Sequence, residues 1–370
     1  MENSEKNLQI EGKYLISLLR AALRGVAPEP APVDLDWNGL FSVAKQHTVD
    51  AAVYRTVAAL GSCPEEILSE WKMQADNALR LEILFDAERT RLFKQFDENK
   101  INYIPLKGII LKGFYPRKGM RRFADNDILF DKKKRKQMQK IMLSDGYAAQ
   151  EYYFVHDTYV KPPVYNFEMH KMLFKRSEDI KYFKDVWARA IKEEGDNCAY
   201  RLSDDDFYLS NIAHFHVHSR EAGGAGIRFY ADLWLMLQNL QLNRDLIDKV
   251  LKDSDLADFE REVREIAMCW FGDDPKDIPD EIFDIILTGG VFGTYERSVQ
   301  AEVKGGMTLF RLMFLPYKQM CERFPCLKYL PFLLPFCWAI RLVGALFSKR
   351  KLRKGRMVAK YRAEEKKKNG

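Results

Sequence analysis

Apolar residues recur at three- and four-residue spacings near the start of the chain, through Tyr14, Leu15, Leu18, Leu19 and Ala22. That period predicts a helix from about Lys13. The proline-rich break from Pro28 to Pro32 ends it, and Leu35 to Leu60 carries one or two more helices. Pro64-Glu65-Glu66 then opens another, with proline and acids in the first turn. This helix runs to Asn99 and offers Ile67, Leu68, Trp71, Ala75, Ala78, Leu79, Leu81, Leu84, Phe85, Leu92 and Phe96 for burial.

From Ile101 the pattern changes to INYIPLKGIILKGFYPRKGMRRFADNDILF. It predicts a strand, a tight Lys107-Gly108 turn, a short helix, a loop and a second strand ending Ile128-Leu129-Phe130. Asp131 caps a helix that begins on the basic run Lys132 to Lys136, a solvated face, with Met138, Ile141, Met142 and Leu143 turned inward. Asp145-Gly146 ends that helix. One strand region follows from Tyr147 to Val155, and another from Pro162-Pro163 to His170.

The second half is helical again. Ser203 and Asp204-Asp205-Asp206 form an ordinary helix start before Phe207, Leu209, Ile212 and Ala213. Leu233 to about Ser298 is helical with a break at Gly272 to Pro279. Met307 to Tyr317 and Tyr329 to Phe347 are apolar and aromatic. The latter approaches membrane-spanning length, but Pro331, Pro335 and Arg341 argue against a span. The fold class is therefore α+β, a small mixed sheet over roughly Asn102 to His170 enclosed by helices. The expected regions are 1–100 (helical), 101–200 (core), 201–305 (helical) and 306–370 (apolar, then polybasic).

Composition narrows the function classes. The chain has 370 residues, 47% hydrophobic and 30% charged, with a net charge of +6. Much of that charge lies in the last stretch, so sequence-specific DNA binding is not expected. Six scattered cysteines form no C-x-x-C pair, which excludes a zinc ribbon or secreted disulfide framework and fits a reducing compartment. The polar N-terminus lacks the apolar core of a signal peptide, so a cytoplasmic protein is expected. Lys349 to Arg356 follow the last apolar segment directly. Two readings of the C-terminus stand: an interfacial anchor on the anionic inner membrane face, or a helix pair packed on the domain with a solvated tail.

Candidate chemistry centres on Asp125 and Asp127. Two apart on a strand, they point the same way and repel each other unless a cation lies between them. A divalent metal shared with substrate phosphates resolves that repulsion, Mg²⁺ first and Mn²⁺ as the alternative. Lys107 supplies a point charge, and Gly108 lets the backbone approach a phosphate. Glu168 and His170 share one face of their strand. His214 and His218 share a helix face, yet no H-E-x-x-H pattern or third ligand accompanies them.

Leu106-Lys107-Gly108, Tyr115-Pro116, Gly119, Arg121 and Asp125-Asn126-Asp127-Ile128-Leu129 together resemble the signature of a poorly characterised branch of the polymerase-β-like nucleotidyltransferase superfamily. The departure is Asn126, where an aliphatic residue is usual; it requires a partner on the sheet's other face or a less apolar face there. The resemblance implies a polymerase-β-like fold, with Glu168 as third carboxylate in the Phe167-Glu168-Met169-His170 context. Arg121 would neutralise charge developing on the leaving group. His214-x-x-x-His218, Gly224-x-Gly226-Ile227-Arg228 and Asp232 resemble a second block, in which Arg228 either reaches the nucleotide cleft or pairs with Asp232. The implied activity is Mg²⁺-dependent transfer of a nucleoside monophosphate from an NTP to a hydroxyl, by Asp125, Asp127 and Glu168, with Lys107, Gly108, Arg121 and Arg228 on the nucleotide. Against it stand a nucleotide-binding scaffold without turnover at the membrane face, and a toxin-like transferase acting on tRNA or protein.

Overall fold

The computed structural model describes residues 2–152, 155–174, 181–221 and 226–290, and beyond these 308, 313–315, 317, 320–321, 324–346 and 355–363. The glycines Gly223 and Gly224, the helical pattern from 291 to Ser298, most of Met307 to Tyr317, the basic residues Lys349 to Lys354 and the terminal KKKNG lie outside the described residues.

Four helices precede the sheet: α1 (Glu2–Arg24), α2 (Trp37–Gln46), α3 (Asp50–Leu60) and α4 (Glu65–Glu98). The expected proline break separates α1 from α2. Strand β1 (Tyr103–Pro105) leads into the single turn α5 (Gly108–Leu111), then a loop, then β2 (Asn126–Phe130). Asp131 caps the turn after β2 by accepting from Lys133 N at 3.0 Å, and α6 (Arg135–Ser144) follows. β3 (Ala148–Tyr152), β4 (His156–Lys161) and β5 (Tyr165–His170) complete a five-stranded sheet of order β1-β2-β5-β4-β3. Only β2 and β5 run parallel. After α7 (Val186–Arg189) and the small hairpin β6 (Ile191–Lys192) and β7 (Tyr200–Arg201) come α8 (Asp204–Glu221), α9 (Ile227–Asn239), α10 (Arg244–Asp253), α11 (Ala257–Phe271) and α12 (Asp280–Gly289). The α+β class expected from the sequence is what the chain forms: mostly helical, with one mixed sheet.

The sheet has an apolar and a polar face. Ile128 and Phe130 of β2, Phe167 and Met169 of β5 and Tyr159 of β4 pack with Leu92 and Phe96 of α4 and Met138, Ile141 and Met142 of α6. Alternation turns the intervening residues, Asp127, Glu168, His170, Thr158 and His156, to the other face.

α4 is less purely apolar than its pattern implies. Trp71, Ala78, Phe85, Leu92 and Phe96 are buried as expected, but so are Glu82, Glu88 and Arg89, whereas Leu79 is 37% exposed. The acids tether the motif loop to the N-terminal helices. Glu82 accepts from Gly119 N at 2.6 Å and lies 3.4 Å from Lys112 Nζ, and Arg122 bonds Asp50 and Gln74. Gly119 sits at φ +82, where a Cβ would meet Leu79 Cβ at 2.8 Å, so both conformation and close approach require glycine.

Contacts group the chain into two compact units, Met1–His216 with Gly226–Val291, and Val217–Ala225 with Phe292–Gly370. In the second, Met320, Cys321, Leu327 and Cys337 form a small core with Leu333, Leu334 and Trp338 packed on it. Its helix α13 (Leu334–Leu346) is short, and no helix among the described residues is long and apolar enough to cross a membrane.

Candidate functional site

Parallel pairing of β2 with β5 sets Asp127 opposite Glu168 and Leu129 opposite His170. Antiparallel pairing of β4 with β5 sets His156 opposite His170 and Thr158 opposite Glu168. Asp125 immediately precedes β2. Three carboxylates and two imidazoles thus share the polar face, because each strand alternates in step with its neighbour.

Lys107 reaches this group from the β1–α5 turn. Its backbone has φ +46 and ψ −119, a strained conformation for a residue with a side chain, costing roughly 1–3 kcal/mol. Lys107 Nζ donates to Asp127 Oδ1 at 2.7 Å, and His170 Nε2 lies 2.7 Å from the same oxygen. Burial acts to raise Asp127, but Lys107 and His170 outweigh it and hold the carboxyl well below the usual range. Asp125 shows the opposite balance: burial and the Asp127 charge push it up to about 6, against Lys107 and Arg228. Burial depresses His156, whereas for His170 the bond to Asp127 and the nearby Glu168 carboxylate outweigh burial and raise it. The pair is therefore asymmetric, one carboxyl firmly ionised and the other poised near neutrality.

Three of the residues expected on the nucleotide make contacts within the protein. Lys107, expected on a triphosphate, is bonded to Asp127, the nearest anion to its ammonium. Gly108, expected to admit a phosphate, lies against Arg121: a Cβ there would sit 2.5 Å from Arg121 Nη1. Arg121, expected at the leaving group, is committed to Asp232, with Nε and Nη2 each 2.9 Å from its two oxygens and Tyr115 Oη 2.8 Å from Oδ1. The clamp on Asp232 is thus made by Arg121 and Tyr115, not by Arg228. Arg228 Nε is buried without a hydrogen-bond partner, and the charge of Arg228 acts on Asp125.

Asn126 finds its partner on the apolar face. Arg89 Nη1 donates to Asn126 Oδ1, and Asn126 Nδ2 donates to Asn166 O at 3.2 Å. Arg89 also bonds Asp86, which in turn takes Lys112.

A cavity of ≈ 560 Å³ opens beside Leu129, two residues along β2 from Asp127 and on the same face. Lys132, Lys171 and Lys184 and the rings of Phe174, Trp187 and Tyr200 line it. His214 and His218 lie on α8. Among the described residues, the cluster with metal-ligand spacing is His156, Glu168 and His170.

A profile of the family described as "Uncharacterised nucleotidyltransferase" matches residues 34–272, from α2 through the sheet to α11. The chain belongs to that family. Among solved structures, an antigenic nucleotidyltransferase-like protein from Paracoccidioides brasiliensis is similar at 13% identity and a TM-score of 0.32, covering 50% of this chain and 91% of that one. No curated protein matches. For this nucleotidyltransferase-family chain, two groups escaped the sequence reading. His156 was hidden because the strand region read from Tyr147 to Val155 stopped just before it, with no Gly or Pro to mark the start of β4. The buried Arg89 was hidden because a charged residue inside a helical apolar stripe has no linear signal of its partner.

Proposed function

We propose that the chain transfers a nucleoside monophosphate from an NTP to a hydroxyl acceptor, releasing pyrophosphate. The observation that supports this reading best is the in-register pairing of Asp127 with Glu168, with Asp125 two residues upstream and Lys107 on Asp127. Asp125, Asp127 and Glu168 would hold a divalent ion, Mg²⁺ or Mn²⁺; oxygen donors on one face fit either. When bound, such an ion polarises the phosphoryl group under attack. The chain's residues do the rest. Lys107 exchanges Asp127 for the phosphates, and Arg228, with its unpartnered Nε, binds beside Asp125. The acceptor oxygen bonds to the α-phosphorus, the α–β bridging bond breaks, and the hydroxyl proton passes to Glu168. Arg121 acts as a positioning residue through Asp232 on α9. The lysine- and aromatic-lined cavity beside Leu129 offers room for the acceptor.

The test is label transfer from α-labelled NTPs with Mg²⁺ or Mn²⁺ in lysate. Asp125→Ala and Asp127→Ala should abolish transfer while the circular dichroism spectrum stays native. Turnover retained in either variant overturns the assignment. A second reading is a nucleotide-binding scaffold without turnover, favoured by the direct bonds of Lys107 and His170 to Asp127. Saturable NTP binding with no transfer would establish it instead.

We also propose that the C-terminal unit contacts an anionic membrane surface. Tyr329, Phe332, Phe336 and Ile340 are 85%, 69%, 68% and 62% exposed, and the basic run 349–356 follows them.

A further inference from the structure

The geometry points to a nitrogen-ligated divalent metal site at His156, Glu168 and His170, one that takes a first-row transition ion in preference to Mg²⁺. One ligand atom from each of the three lies within 4.8 Å of the others. Glu168 Oε2 is 3.8 Å from His156 Nε2 and 3.6 Å from His170 Nε2. Both separations exceed hydrogen-bond length. They approach the spacing of roughly 3.3 Å between ligands of a four-coordinate ion with bonds of about 2.0–2.1 Å. The strands fix this arrangement: His156 faces His170 across β4–β5, and Glu168 is two residues from His170 on the same face. The side chains of His156 and Glu168 are 21% and 22% exposed, so an ion has an entry path.

Donor chemistry decides the class. Two imidazoles with one carboxylate suit zinc, cobalt, iron or manganese, whereas Mg²⁺ is held almost wholly by oxygen. For His170 Nε2 to become a ligand, the ring must give up the hydrogen it shares with Asp127 Oδ1, which keeps Lys107 at 2.7 Å. That hydrogen leaves as a proton, as ligation by imidazole requires. The inference shares Glu168 with the proposed transfer site and rests on reading this sheet face as a metal face, but it does not require turnover.

The full chain, stripped of metal, is titrated with Co²⁺ followed by visible absorption, and with Mn²⁺ followed by pulsed electron paramagnetic resonance for ¹⁴N coupling. Expected are saturable Co²⁺ bands, ¹⁴N coupling to Mn²⁺, and a Co²⁺ affinity above that for Mg²⁺. His156→Ala and His156→Gln should each weaken Co²⁺ by at least the roughly 10–100-fold that even outer-shell partners are worth. Thermal melts of both variants check folding. Asp125→Ala should keep the nitrogen coupling while losing transfer. Coupling without transfer in the wild type overturns the transferase reading alone. Transfer with Mg²⁺, but no ¹⁴N coupling and no effect of either His156 variant on Co²⁺, overturns this inference alone.

Discussion

Asn126 shows how one departure from a pattern reaches two elements away. An aliphatic residue there would pack silently on the apolar face, but Asn126 instead accepts from the buried Arg89 of α4. A buried guanidinium that loses an acceptor costs more than the bond itself was worth, on the order of 1–3 kcal/mol. Asn126→Leu should therefore destabilise the fold by about that much in urea unfolding. Adding Arg89→Met should recover part of the loss, because Asp86 keeps Lys112 as partner. If the double variant is as unstable as the sum of the two single ones, the pair is not coupled and Asn126 has been misread. The same scale shows what stays hidden at Gly108: a tight Lys-Gly turn is visible in the sequence, while the Arg121 side chain pressed against it comes from the far side of the loop.

At the scale of elements, helices were the easiest to read, because α1 to α4 and α6 carry a 3.6-residue period, although no Pro or Gly marks the α2–α3 boundary, which was read as one helix or two. Of β3 and β4, the region read from Tyr147 to Val155 covered β3, while β4 (His156–Lys161) was missed because no Gly or Pro marks its start. The placement of α9, which carries Arg228 and Asp232, depends on a contact no local pattern reveals. Buried His47 follows α2 directly; its Nδ1 accepts from Ile227 N at 3.1 Å, and its Nε2 donates to Leu287 O at 2.9 Å. Acceptance at Nδ1 needs the neutral ring, and burial, working against the Leu287 bond, lowers its pKa from 6.5 to about 4. The unfolded chain therefore takes up a proton near pH 6.5 that the folded chain refuses until about 4. Stability from this residue is full above 6.5 and is lost as pH falls toward 4, by about 3 kcal/mol over that window. Gln can accept and donate in the same directions without titrating. The unfolding free energy of His47→Gln should then fall less steeply between pH 7 and 4.5 than that of the wild type; parallel curves would show that His47 titrates alike in both states.

At the scale of the whole molecule, the proposed chemistry and the C-terminal surface belong to different compact units. Phe336 and Ile340 lie four apart on one face of α13, and Tyr329 and Phe332 extend that stripe toward the preceding turns. Cys337 and Trp338 turn the other way, into the small core of that unit. Placing each exposed ring in a bilayer interface removes apolar area worth roughly 1.5–3 kcal/mol per residue when fully covered. The six cations among residues 349–356 add about 1 kcal/mol each near an anionic leaflet. Neither contribution is expected to suffice alone, as two signals are the rule for stable peripheral attachment. The full chain should therefore co-sediment with phosphatidylcholine vesicles containing phosphatidylserine and not with phosphatidylcholine alone, and raising the salt toward 1 M should release it, since screening then acts within about 3 Å. Phe332→Ser with Phe336→Ser should reduce binding at low salt while leaving the melting temperature and any NTP transfer unchanged, because both rings are solvent-facing. Equal binding to neutral vesicles, or binding indifferent to both the rings and the salt, would remove the membrane from the account. If the aromatic stripe instead joins two chains, sedimentation velocity without lipid would show a dimer that the same double substitution dissolves.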